Sequence, residues 1–302
     1  VATMCTPEER AAVLALTRAT SDRPWHHTSR VVTGRRSAKA LMDGDFTGLD
    51  EDDRAHAIHV VTRLRPGDLT WAGHLIAAMR AEGVHLVTVL DESYPGNLYD
   101  AYNRQPVLWI RGRLSAQDLR AVAVVGERDA GHAVQAARAL ARAGSTVVAG
   151  LRSDLDAAVH EAALACGGRT IAVLAGGIAS PAGLGQYATV AKEIATGGAV
   201  VSPFWPDTMP SDETSALSRV VISGLAGSLY VVDGRDNGLS QRQAEVALDH
   251  GTHVFVPHSL HQTQQWVATV GFRGGITVVQ DIDDLTRQTV NLIDMCRQTT
   301  TF

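Results

Sequence analysis

Between positions 121 and 177, three short apolar runs rich in valine and alanine (121–125, 146–149 and 170–174) each stop at a glycine: Gly126, Gly150 and Gly176. Alanine-rich helical sequence follows the first two. The order is therefore strand, glycine turn, helix, strand, glycine turn, helix, strand. Parallel strands need such crossovers, and a parallel sheet opens its crevice at the strand carboxyl ends. Helix N-termini there present free N–H groups and partial positive charge, which suits a phosphate. A chain punctuated in this way holds a phosphate-bearing ligand or keeps the frame of one.

The alternation continues past Gly177. Strand-like runs at 199–204, 228–234, 252–258 and 276–281 are separated by helical sequence, and 282–296 reads as a closing helix. Strands spaced by one helix each fit a doubly wound, mostly parallel α/β sheet with both faces covered. Upstream, residues 7–20 form a helix with Pro7 in the first turn and acids near its positive end. Further helical stretches fall at 37–44, 52–64 and 68–83, the last with Asp68 as N-cap and Gly83 as stop. Residues 84–90 and 107–112 read as strands. The expected organisation is a small helical module over 1–83, then the α/β domain over 84–302.

Composition narrows the class. Of 302 residues, 45% are hydrophobic and 20% charged, as in an ordinary globular chain. No apolar run approaches the ~20 residues of a membrane helix, so no membrane is expected. Cys5, Cys166 and Cys296 are few and far apart, and read as free thiols in a reducing cytoplasm. The His26–His27 and His56/His59 pairs lack companions at ligand spacing, so no metal and no cofactor is expected. The net charge of −5 argues against indiscriminate nucleic-acid binding. Locally, Arg10, Arg18, Arg23, Arg30, Arg35, Arg36 and Lys39 face only Asp22 between positions 10 and 40. A solvated helical surface is favoured there over a polyanion site.

A series of motifs, in order over about 85–260, resembles the DNA-processing protein A family (DprA, also called Smf). Tyr94-Pro95-Gly96-Asn97-Leu98, followed by Pro106-Val107-Leu108 and Gly112, is similar to that family's YPxxL…P..L…G segment. Val125-Gly126-Glu127-Arg128 stands for VGSR, and the stretch from Ala149 to His160 for SGxAxGIDxxAH. Positions 168–174 match GxTIAVL, and 247–257 match AxxxGxxVFxVP. The resemblance implies an extended Rossmann-like fold. It departs at Ser202-Pro203, where the family has an acid, and at Ser218-Arg219-Val220, where the family has an RNR triplet. Asn237 to Ala244 replaces SGSLxTA. The scaffold is kept and several ligand-facing positions are rewritten.

The expected ligand or phosphate contacts are Gly126, Arg128, Gly150, Arg152, Gly176, Gly177, Ser202 and Arg219. Backbone N–H groups at Gly126 and the Arg128 guanidinium would clamp a phosphate; the alternative is a tight turn with Arg128 on the surface. Arg152 either adds a phosphate contact or plugs the pocket. Gly176 and Gly177 would let a ligand approach the backbone closely. Arg219 is either the surviving anion anchor or a helix-surface arginine. Asp156 and His160, four apart on one helix face, are expected to brace the second turn and not to act as an acid–base pair.

The resemblance implies binding and protection of single-stranded DNA, assistance in loading a RecA-type recombinase, a homodimer, and no enzymatic activity. The alternative is a sensor of a nucleotide or nucleotide-derived signal, for instance in anti-phage defence. A nucleotide hydrolase ranks third, because Gln243 stands where a related hydrolase has its carboxylate, although Glu245 is near.

Overall fold

The structure is a computed structural model and describes residues 5–20 and 25–299. Asp22 and Arg23 of the basic run and the side chain of Cys296 lie outside the described residues. The first helix, α1 (Pro7–Ala19), starts where the sequence places it. The Thr6 hydroxyl accepts from the Glu9 N–H at 3.2 Å, and Glu8 and Glu9 lie at the positive end. Then come α2 (His26–Arg35), α3 (Ala38–Met42), α4 (Glu51–Val61) and α5 (Asp68–Ala81). Asp68 is the first helical residue and not the cap. Gly67 takes the cap position at φ 94°, and the Asp68 carboxylate accepts from the Arg65 N–H at 2.8 Å. Gly83, at φ 74°, follows the end of α5.

Much of the basic run is consumed by ion pairs. Arg10 meets Asp91 at 2.6 Å, Arg18 meets Asp68 at 3.2 Å, Arg30 meets Asp53 at 2.5 Å, and Arg35 meets Asp45. Three of these link helices or join a helix to the sheet region, so these four charges fasten elements together.

Strand β1 (Val84–Thr88), the short α6 (Gly96–Tyr99) and β2 (Val107–Gly112) lead to β3 (Ala121–Val125), α7 (Ala130–Arg142), β4 (Thr146–Gly150), α8 (Asp154–Leu164) and β5 (Thr170–Val173). There follow α9 (Pro181–Leu184), α10 (Ala188–Gly197), β6 (Ala199–Ser202), α11 (Asp212–Leu225), β7 (Ser228–Val231), α12 (Leu239–Asp249) and β8 (His253–Pro257). Then α13 (His258–Thr263), α14 (Gln265–Gly271), β9 (Ile276–Val279) and α15 (Ile282–Thr299) close the chain. The nine strands form one sheet in the order β1-β2-β6-β5-β4-β3-β7-β8-β9. The seven strands from β6 to β9 are parallel, whereas β1–β2 and β2–β6 are antiparallel. From β3 the chain winds outward through β4, β5 and β6, then returns to lay β7 on the other flank of β3. The switch point of this doubly wound α/β sheet lies between β3 and β7, where ligands enter such folds.

Alternation along β3 sorts the two faces. Val122 and Val124 pack with Ala133, Ala137 and Leu140 of α7 and Val159 of α8. Ala121 and Ala123 face the opposite core, which includes Val221 and Leu225 of α11, Ala244 of α12 and the α1 residues Leu14 and Leu16. The strands are buried on both faces, which explains their near-continuous apolar sequence. Trp109 on β2 is fully buried, a contribution of about 3 kcal/mol by area transfer. At the end of β6, Trp205 lies edge-on between Trp25 and Trp71, with ring centroids at 5.2 and 5.7 Å, and so joins the strand-end loop to the N-terminal helices.

Candidate functional site

The mouth of the sheet is built from the turns that end β3, β4, β6 and β7 and from α11 and α12. Gly126 follows β3, and its turn is folded around a carboxylate from the neighbouring strand. Asp233, just past β7, accepts from the N–H groups of Glu127 (2.5 Å), Arg128 (2.9 Å) and Asp129 (3.1 Å). A Cβ at Gly126 would lie 2.8 Å from Asp233 Oδ1. The glycine is required by that approach and not by a left-handed backbone. Arg128 is exposed, with no side-chain hydrogen bond or ion pair among the described residues.

The second turn is closed by its own helix. Ser153 and Asp156 form a capping box at the start of α8, and Asp156 Oδ2 also accepts from the Arg152 N–H at 3.0 Å. A Cβ at Gly150 would sit 3.1 Å from that same oxygen. His160 is fully buried, with Nε2 2.8 Å from the Gly150 carbonyl and Nδ1 2.7 Å from the Thr170 hydroxyl. A carbonyl only accepts, so Nε2 carries the proton. Burial pushes the imidazole pKa down against the opposing effects of the Gly150 carbonyl and Asp156. Asp156 and His160 are not hydrogen-bonded to each other. Each ties the turn separately, one to amides at the helix start and the other to the strand-end carbonyl.

Gly176, Gly177 and Ser202 face inward. Both glycines are buried, and the close backbone approach expected there is to the chain's own loop after β6. Gly177 N–H donates to the Thr208 carbonyl at 2.8 Å, and a Cβ on Gly177 would collide with the Trp205 and Pro206 carbonyls. Ser202 is fully buried, donating to the Gly176 carbonyl at 2.8 Å and accepting from Phe204 N–H at 3.2 Å. These three residues hold the loop over 203–210 in place, and none presents a free surface to a ligand.

Arg152 and Arg219, in contrast, are brought together. Arg152 leaves the β4 turn and donates to the Ser215 hydroxyl of α11. Arg219 stands one turn further along α11, half-buried. Burial, then the like charges of Arg242 on α12 and of Arg152, lower its pKa. None of the three guanidiniums has a carboxylate partner among the described residues. Gathered cations without counter-charges are costly unless an anion visits them. Sequence reasoning missed Arg242 and Asp233. Arg242 stood inside the stretch noted only for its departure from SGSLxTA, and Asp233 was visible as an acid closing an apolar strand.

Gln243 is buried, and its amide donates to the Arg219 carbonyl at 3.0 Å and to the Ser223 hydroxyl at 2.6 Å, tying α12 to α11. Glu245 accepts from Gln241 at 2.8 Å. The His27 ring lies tilted against those of His26 and His56, with centroids at 4.2 and 5.6 Å. No group of three or more His, Cys, Asp or Glu able to hold a metal occurs among the described residues. No helix among them is long and apolar enough to cross a membrane.

The chain is similar to known proteins over most of this architecture. It is 30% identical over 195 residues to DNA processing protein DprA of Bacillus subtilis (62% of this chain, 65% of the relative). It is 32% identical over 178 residues to protein Smf of Escherichia coli (57% of this chain, 47% of the relative). The matches thus span about two-thirds and about half of these relatives' own length. Among solved structures, DNA processing protein A of Streptococcus pneumoniae superposes with a TM-score of 0.67 at 21% identity, covering 94% of this chain and 98% of that one. DNA processing protein A of Helicobacter pylori, described for its single-stranded DNA binding mode, gives 0.57 at 18% identity, covering 69% of this chain and 96% of that one. At these identities the superpositions establish the shared fold. The profile of the DNA recombination-mediator protein A family matches residues 85–290, and the chain belongs to that family.

Proposed function

We propose that the chain binds single-stranded DNA along the carboxyl ends of its parallel strands. Arg152, Arg219 and Arg242 take backbone phosphates, and Arg128 lies at the edge of the path. The observation that carries this reading is the gathering of three guanidiniums with no carboxylate partners among the described residues, in a protein of net charge −5. A strand offers evenly spaced anions to such a row, and Arg engages phosphate with two parallel donors. Membership of a recombination-mediator family supports delivery of the strand to a RecA-type recombinase, with a second copy of the chain as a further expected partner and the cytoplasm as the expected location. Catalysis forms no part of the reading. Asp156, His160 and Gln243 spend their hydrogen-bonding groups on the fold, and a general acid or base must be able to reach a reacting atom.

The deciding experiment is fluorescence anisotropy with a labelled oligo-dT, competed by unlabelled oligo-dT and by dTMP. The reading expects displacement by the oligomer at far lower phosphate concentration than by dTMP. Equal potency per phosphate, or displacement by the mononucleotide alone, favours a nucleotide sensor.

A further inference from the structure

Asp233 occupies the place where a phosphate would be expected. Three consecutive N–H groups at the start of α7, those of Glu127, Arg128 and Asp129, converge on its carboxylate at 2.5, 2.9 and 3.1 Å. Successive amides aimed at one anion, at a helix start beside the switch point, are how such turns grip a phosphate oxygen. The carboxylate is held from behind as well. Gly126 leaves room for it, and Val232 N–H, the residue before it, donates to the Val125 carbonyl at 2.8 Å. The facing turn is closed in the same manner: Glu127 Oε1 accepts from the Ser240 N–H at the start of α12, at 3.1 Å. The two turns that flank the switch point therefore exchange carboxylates, Asp233 into the first and Glu127 into the second.

We propose that Asp233 is a resident anion that keeps phosphate out of the first strand-end turn, and that it thereby makes the mouth select a strand of phosphodiesters over free phosphate or a mononucleotide. A phosphate entering the turn would have to displace three charge-assisted hydrogen bonds and approach a fixed negative charge. A phosphomonoester, carrying nearly two charges, is penalised more than a diester carrying one. Without the turn, a single phosphate is left with arginine contacts alone, whereas a strand sums such contacts along its length. The naming of a strand rests on the function proposed above; the closure of the turn does not.

The test is amide NMR of the uniformly labelled, full-length protein titrated with inorganic phosphate, dTMP and oligo-dT. In the wild type, millimolar phosphate is expected to leave the amides of Glu127, Arg128 and Asp129 unmoved. In Asp233→Ala and Asp233→Asn these amides should shift with phosphate, and phosphate affinity should rise at least about tenfold, the worth of one charge-assisted hydrogen bond. Phosphate shifts at the three amides in the wild type would overturn the proposal, and so would their immobility in a folded variant. Should neither variant fold, the wild-type titration decides alone. If oligo-dT fails to bind, the proposed function falls while the phosphate result still judges Asp233.

Discussion

Replacing Arg219 by alanine separates a phosphate contact from a structural arginine. In single-strand binding each neutralised phosphate contributes about 0.7 to the slope of log affinity against log salt. Three guanidiniums, those of Arg152, Arg219 and Arg242, thus set a slope of about 2.1, and Arg219→Ala lowers it to about 1.4. A fourfold rise in salt from about 50 mM then weakens oligo-dT binding about eighteenfold in the wild type and about sevenfold in the variant. At the low-salt end the variant binds about tenfold more weakly, as expected for one lost charge-assisted contact. Stability should move the other way or not at all, because Arg219 is half-buried between two like charges and removing it relieves repulsion. Anisotropy across a salt series, with melting curves alongside, reads both quantities. Arg138→Ala, an exposed arginine in the middle of α7, serves as the control and should leave the slope unchanged. A wild-type slope near zero, or the same slope in wild type and Arg219→Ala, would refute the assignment of phosphates to these arginines.

Arg169→Leu should lower the melting temperature by roughly 10 °C, since it strands the buried carboxylate of Asp118, held at 2.6 and 2.9 Å, at a cost of about 3–5 kcal/mol. Adding Asp118→Leu should recover part of that loss, and a double variant no better than the single would contradict the accounting. His160 is buried, with a folded pKa depressed below its unfolded value of about 6.5, so its stabilising effect is complete above that pH and is lost as pH falls through the folded pKa. Urea midpoints should therefore drop more between pH 8 and pH 5 in the wild type than in His160→Gln; equal drops would show that the imidazole is not responsible. Incubation with nucleoside monophosphates should return only starting material on chromatography, and turnover abolished by Glu245→Ala would bring hydrolysis back.

The strand ends were legible because valine- and alanine-rich runs buried on both faces stop at glycine, a pattern that survives without any knowledge of contacts. Helices α13 and α14, of six and seven residues, carry too little apolar periodicity to announce themselves, and α2 opens on two histidines and no capping side chain. The site was harder to read. Spacing of four placed Asp156 and His160 on one helix face, yet the capping box draws the carboxylate back toward the N-cap while the imidazole reaches Gly150. Gly176 and Gly177 looked like room for a ligand, and the room is taken by Thr208 and Pro210 at the first and by Trp205 and Pro206 at the second, whose approach depends on the loop after a strand more than 20 residues away. Likewise, nothing local tells that Asp233 will lie against amides more than 100 positions earlier. Contacts set by crossover topology stay hidden until strand order is known.

The three edge-on indoles give this molecule an optical gauge of its own. Trp205 rides on the segment that roofs the third turn, and its neighbours are Trp25, at the cap of α2, and Trp71 on α5, with the Arg18 guanidinium 4.0 Å above the Trp71 ring. Edge-on rings at this separation couple their electronic transitions, so the near-ultraviolet circular dichroism signal depends on their mutual angle. Any occupant of the mouth that lifts or settles the 203–210 segment will alter that signal without a label. The same edge contacts tie the N-terminal segment to the far ends of the strands, so a tilt of Trp205 is met by both Trp25 and Trp71.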